Sequence, residues 1–302
     1  MLRRHALLMV VFLVASCQSI TPRTWELPAG VKAVQVNGYE MAYIEQGAGV
    51  PVILVHGSLG DYRFWAPQME SFSVRYRTFS PSLRHNYPER WNGSGDDFSI
   101  RQHAEDLAAF IKWLNVGPVH LVAYSRGADV ALRLANTHQE LLRSVVLADP
   151  APLDSLMPRT PIADAAAERR KDQLTRTLAR FRQGDIDGGL EIFLDMNNVP
   201  GYWKNAPASA KQVFRDNPWS IKNLIVDAQE PFTCADAGKI NVPVLLVTGE
   251  KSPPIFGVMH DALQPCLTRQ EGRVTIPNAP HGFPRTHSQA FNAAVLGFLA
   301  RH

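Results

Sequence analysis

Residues 119–128 read Val119-His120-Leu121-Val122-Ala123-Tyr124-Ser125-Arg126-Gly127-Ala128, a short apolar run that meets a serine and continues as a helical pattern over Ala128–Ala135. A continuous aliphatic stretch such as Val119–Ala123 has the form of a strand buried on both faces. A serine at the bend between strand and helix needs small residues two positions before and two after it, so that the backbone can take a strained conformation and lift the hydroxyl above the sheet. Ala123 and Gly127 hold those positions. Glycine at both is the commoner pattern, and alanine is small enough to fit. Ser-x-Gly alone occurs often by chance; its place between a buried strand and a helix makes Ser125 a candidate nucleophile rather than a loop serine.

Outward from this stretch, Val52–Val55, Val145–Ala148 and Val244–Val247 repeat the same kind of strand, and Ile100–Leu114 carries apolar positions at Leu107, Ala108, Ile111 and Leu114 in helical register. Strands alternating with helices predict an α/β fold with a mostly parallel, doubly wound sheet covered on both faces. Upstream, Val31–Val36 and Tyr39–Glu45 flank Asn37-Gly38, a strong hairpin signal. The alternation stops after Asp149, at Pro150 and Pro152, and resumes at Val242. The helix-like, strand-free sequence between predicts an inserted cap over residues 150–235, with the core formed by 31–149 and 236–302. Phe193, Met196, Tyr202, Trp203, Phe214 and Trp219 read as the cap's own small core, a few of them facing a pocket beneath it.

The 302 residues, 45% hydrophobic and 20% charged, suffice for one large core and a modest insertion. The N-terminus stands apart. Arg3 and Arg4 precede an apolar run from Ala6 to Ala15 that ends at Ser16-Cys17, the layout of an export signal over residues 1–16 and too short for a comfortable membrane span. Residues 17–30, with Pro22 and Pro28, read as a tether. Without residues 1–16 the formal charge falls from +3 to +1, and no basic stripe points to nucleic acid. Beyond Cys17, Cys234 and Cys266 are compatible with one disulfide and equally with two separate buried thiols. No Cys-x-x-Cys or Cys/His spacing supports a metal.

From Val31 to His302 the chain resembles the α/β-hydrolase family. The residues that carry the likeness are the serine bend, His56-Gly57-Ser58 after the strand Val52–Val55, Ser82-Leu83-Arg84-His85 after the next strand, Gly249-Glu250-Lys251-Ser252, and Pro280-His281-Gly282 beyond Arg273–Ile276. A serine hydroxyl needs a base that takes its proton during attack, and the resemblance assigns that part to His281. It assigns the donors that receive the developing oxyanion to the N–H groups of Ser58 and Arg126. Arg126 has a structural alternative, pairing with Asp129, and His56 reads as a turn-stabilising residue. The acid departs from the family's common pattern, because Ser252 occupies its usual position. Glu250 is one alternative. Asp149, at the end of Val145–Ala148, matches a subset of the family that places the acid one strand earlier, and it is favoured.

The resemblance implies hydrolysis of a carboxylic ester or related small-molecule acyl substrate through an acyl-enzyme, with no metal or organic cofactor. Lactone, amide and carbon–carbon bond hydrolysis share the same triad, and a serine in place of an aspartate nucleophile disfavours epoxide and haloalkane chemistry. A non-catalytic, lipid-anchored binding protein of the same fold is the reading from another class. Val14-Ala15-Ser16-Cys17 resembles a bacterial lipobox, which implies a lipid on Cys17 and a membrane-anchored protein facing the periplasm; Gln18 points to the outer membrane.

Overall fold

The computed structural model describes residues 25–222, 224 and 231–302. The proposed signal segment 1–16, Cys17 and the greater part of the 17–30 tether lie outside the described residues. Eight strands form one sheet: β1 (Lys32–Val36), β2 (Tyr39–Gln46), β3 (Val50–Val55), β4 (Tyr76–Pro81), β5 (Val119–Tyr124), β6 (Leu142–Ala148), β7 (Val244–Gly249) and β8 (Gln270–Ile276). Their order across the sheet is β1-β2-β4-β3-β5-β6-β7-β8. β1 and β2 pair antiparallel about Asn37-Gly38, β2 meets β4 antiparallel, and every later pairing is parallel. The expected α/β architecture is therefore present. The strands run further than the apolar runs that announce them, because the terminal residues of a parallel strand need only backbone partners. β6, for example, begins at Leu142 and includes the exposed Arg143.

Helices α1 (Ala66–Phe72), α2 (Ile100–Leu114) and α3 (Arg126–Thr137) follow β3, β4 and β5. The side chain of Ser99 caps α2 by accepting from the Gln102 N–H, and Asn115 closes it in the left-handed conformation. One face of the sheet packs Ile53, Val55, Leu121, Ala123, Val145 and Leu147 against α2 and α3. The other packs Val52, Leu54, Val122, Val146 and Val247 against Trp65, Phe72, Phe291 and Phe298. Alternate residues of one strand thus enter opposite clusters, as parallel strands covered on both faces require.

Between β6 and β7 lie α4 (Pro161–Arg182), α5 (Ile186–Asn197), α6 (Tyr202–Asn205) and α7 (Ala208–Asp216). Leu174, Leu178, Phe181, Leu190, Phe193, Trp203, Phe214 and Ile221 form a third cluster, to which the sheet side contributes Leu59. Met196, Tyr202 and Trp219 pack at its edge. Polar contacts fix one corner of this layer to the loops after β3 and β4. The Arg63 guanidinium bridges Asp61 and Asp216 (2.7 and 2.8 Å), the Asn217 side chain donates to Asp61 and accepts from the Tyr87 N–H (both 2.7 Å), and Ser220 Oγ accepts from the Leu59 N–H (2.7 Å). Leu153 and Phe232, near the two ends of the 150–235 stretch, pack with the sheet core. Cys234 and Cys266 form a disulfide, with Cα atoms 5.0 Å apart, which resolves the alternatives left open by the sequence.

Candidate active site

The site lies at the carboxyl ends of the parallel strands, where open α/β sheets place their ligands. Ser125 sits between β5 and α3 with φ 54° and ψ −126°, a conformation that side chains other than glycine rarely adopt. The crossing is tight because Ser125 alone separates the end of β5 from the start of α3. A Cβ on Gly127 would stand 2.3 Å from the His56 carbonyl oxygen, so only glycine lets the helix approach β3. Gly57 clears the facing side: a Cβ there would lie 2.9 Å from Cβ of Ser125. Ala123, by contrast, is an ordinary fully buried strand residue opposite Val55 and Leu147. The strand side of the turn therefore tolerates a methyl group, and the helix side does not.

Ser125 Oγ lies 3.1 Å from His281 Nε2, and His281 Nδ1 lies 3.1 Å from Asp149 Oδ2. His281 arrives on the loop after β8 and is held between rings, stacked on Phe256 at 4.0 Å and tilted against Tyr124 at 4.8 Å. The Asn198 side chain reaches from the end of α5 to accept the Gly282 N–H at 2.7 Å, tying this loop to the helices above it. Asp149 follows β6 in the left-handed region, φ 40°, and is fully buried. Its Oδ2 also accepts from Ser252 Oγ at 2.5 Å, and its Oδ1 from His260 Nε2 at 3.3 Å. Burial alone would raise this carboxyl, but the hydrogen bonds from His260, His281 and Ser252 outweigh it and hold the group well below the usual carboxylate range. Burial lowers His281 below the ordinary imidazole value, partly offset by Asp149. The pair therefore rests as a neutral imidazole beside a carboxylate.

Glu250 is not brought to this cluster. It is exposed, and its Oε2 accepts the N–H of Asn278 at 2.6 Å. Ser252, which stands where the resemblance expects the acid, is a partner of Asp149. Its polar side chain at that position is the signal that sequence reading left unused. His260 gave no comparable signal, being one histidine of a helix, Pro254–Leu263, whose inward face only the tertiary structure defines.

Ser58 lines the pocket in front of Ser125 together with Tyr124, Phe193, Tyr202, Phe214 and His281. The Arg126 N–H belongs to the first turn of α3, where amides project from the positive end of the helix. Its side chain is buried: Nη1 donates to His103 Nδ1 at 2.9 Å, and the guanidinium lies 4.6 Å over the Phe98 ring. His56 donates from Nδ1 to the Gly57 carbonyl (2.8 Å) and accepts the Leu83 N–H at Nε2 (3.0 Å), with burial lowering it to about 4. It is a neutral brace for the turn that carries Ser58. Among the described residues no group of three or more His, Cys, Asp or Glu could hold a metal ion.

Residues 50–281 match the family model for the alpha/beta hydrolase fold, and the chain belongs to that family. It is 26% identical over 290 residues to an (E)-2-((N-methylformamido)methylene)succinate hydrolase of Acinetobacter baylyi, covering 89% of this chain and 97% of the relative. It is 26% identical over 222 residues to a bifunctional esterase/perhydrolase of Acinetobacter calcoaceticus, covering 69% and 75%. Among solved structures, a thermophilic esterase from Thermogutta terrifontis superposes with a TM-score of 0.71 at 22% identity, over 90% of this chain and 99% of the other. The epoxide hydrolase CorEH gives 0.74 at 18% identity, over 90% and 98%. At these identities the structural likeness concerns the fold.

Proposed function

We propose that this protein is a serine hydrolase of carboxylic esters or related acyl compounds that works through an acyl-enzyme. The observation that carries the reading is the continuous hydrogen-bond chain from Ser125 Oγ through His281 to a carboxylate, Asp149, that remains ionised. Ser125 attacks the substrate carbonyl while His281 Nε2 takes its proton. Asp149 fixes the tautomer with the proton on Nδ1 and stabilises the imidazolium as it forms. The N–H groups of Ser58 and Arg126 receive the oxyanion. Collapse of the tetrahedral intermediate breaks the bond to the leaving group, which takes the proton from His281. Water activated by the same imidazole then releases the acid and restores Ser125.

Reaction with a fluorophosphonate probe tests the nucleophile. Wild type should label and Ser125→Ala should not, with turnover of a p-nitrophenyl ester falling roughly a thousandfold or more. Near-normal turnover in the alanine variant would exclude the mechanism. For location, the lipobox-like Val14-Ala15-Ser16-Cys17 supports a periplasm-facing protein anchored through lipid on Cys17, and the disulfide suits an oxidising compartment.

A further inference from the structure

Three cavities share a wall at the cap helix α4, and one of them opens on Ser125. The pocket against Ser125 and His281 is narrow, about 30 Å³. It adjoins a cavity of about 570 Å³ lined by Asp129, Leu153 and Phe232, and a more open groove of about 960 Å³ between α4 and the helix Pro254–Leu263. Among the described residues Arg170 alone lines all three. It occupies the inward face of α4, one turn ahead of the buried Leu174 and in register with Leu178 and Phe181.

Its described polar partner is an uncharged one: Nη1 donates to Asn197 Oδ1 at 2.8 Å. The carboxyls close enough to influence it are Asp129 and Asp154. Neither forms an ion pair with it among the described residues. Burial pushes the Asp129 carboxyl well above the usual range, and its Oδ1 has no hydrogen-bonding partner among the described residues. Burial pulls the Arg170 guanidinium down to about 10, which leaves it a cation at neutral pH. Arg170 is half-buried, and a cation held there with no ion pair among the described residues is costly, a cost that a ligand bringing one negative charge relieves. The planar fork of a guanidinium matches a carboxylate with two parallel hydrogen bonds, and a monoanion balances a single cation where a phosphate dianion would not.

We propose that Arg170 recognises a carboxylate on the substrate, so that the preferred substrates are acyl compounds carrying a free carboxylate a few bonds from the carbonyl that Ser125 attacks. The assignment rests on Ser125 as nucleophile. Turnover should be compared for monoethyl esters of four- to six-carbon dicarboxylic acids, which are monoanions, and for the corresponding neutral diethyl esters. Wild type should favour the best monoanion by about tenfold or more in kcat/KM. Arg170→Met should lower that ratio roughly thirtyfold, with Arg170→Lys between them, since the lysine keeps the charge and loses the fork. A ratio unchanged in a folded Arg170→Met protein, or a wild type that favours the diesters, overturns the proposal.

Calorimetric binding of the same monoester and diester to Ser125→Ala provides a readout that needs no turnover. Tighter binding of the monoanion that weakens at least tenfold in Ser125→Ala/Arg170→Lys supports recognition even if no ester is hydrolysed, an outcome that would count against the hydrolase reading alone. Equal affinity for the two compounds refutes recognition whether or not Arg170→Met folds.

Discussion

Replacing Asp149 by asparagine probes the site most sharply, because the surrounding hydrogen bonds dictate which way the amide turns. The side chain keeps its size, but one of its two acceptors becomes a donor. If the amide oxygen faces His281 and Ser252, both bonds survive without the charge. The loss is then the difference between charged and neutral hydrogen bonds, about 1–2 kcal/mol, or roughly 5- to 30-fold in rate. That orientation, however, points the NH2 at His260 Nε2, which must then accept and carry its proton on Nδ1. His260 Nδ1 is buried with no partner, and an unsatisfied N–H there costs about 1–3 kcal/mol. In the opposite orientation the NH2 faces Ser252, whose hydroxyl can accept as readily as donate, and His281 Nδ1. The network therefore selects the orientation that drives the His281 proton to Nε2, where it blocks proton transfer from Ser125. The expected fall in kcat is three to four orders of magnitude, about 4–5.5 kcal/mol of barrier. Glu250→Gln should stay within about threefold, since Asn278 can still donate to the amide oxygen. The assay is kcat on a p-nitrophenyl ester, read only if the variant melts with wild type. A loss below about thirtyfold for Asp149→Asn, or an inactive Glu250→Gln, would refute the reasoning.

Burial places His281 below the ordinary imidazole pKa of about 6.5. Its neutral, basic form therefore persists to lower pH, and the acid limb of kcat/KM should have its midpoint below 6.5; a midpoint at or above that value would contradict the burial. Stability should move in the same direction, because His56 and His120 are depressed to about 4 in the folded chain. The unfolded chain binds more protons between about 6.5 and 4, so thermal unfolding temperature should fall as pH drops through that window. The disulfide closes a loop of 32 residues in sequence separation. By chain entropy it contributes about 3–4 kcal/mol, so the Cys234→Ser/Cys266→Ser protein should melt roughly 5–8 °C lower. Cys17→Ser should release the protein from the membrane fraction or leave its precursor uncleaved, and a wild-type protein recovered as freely soluble periplasmic material would defeat the anchor.

The fold was legible because the parallel strands are buried on both faces, and their composition therefore differs from everything around them. Val119–Ala123 and Val145–Ala148 need no context to be recognised. The convergence of Ser125, His281 and Asp149 was legible because each terminates or follows such a strand, which fixes where it emerges. What stayed hidden depends on facing rather than on position. Asn198 is one amide at a helix end until Gly282 is folded against it. Arg170 reads as one charge among Arg169, Lys171 and Asp172. The spacing to Leu174, Leu178 and Phe181 places it on the buried side of α4, a helical signal that charge alone obscured. The status of the two cysteines depended on a distance, and spacing in sequence does not encode it.

Two of the three residues aligned at the site, Ser125 and Asp149, hold positive φ without being glycine. Such backbone costs on the order of 1–3 kcal/mol at each position, borne by a chain whose net stability is of the order of 5–15 kcal/mol. Glycine at either position would remove the strain along with the hydrogen-bonding side chain. The native fold is therefore not the most relaxed arrangement open to this backbone. It holds in reserve, at two adjacent strand ends, an appreciable fraction of the free energy that keeps the whole molecule folded.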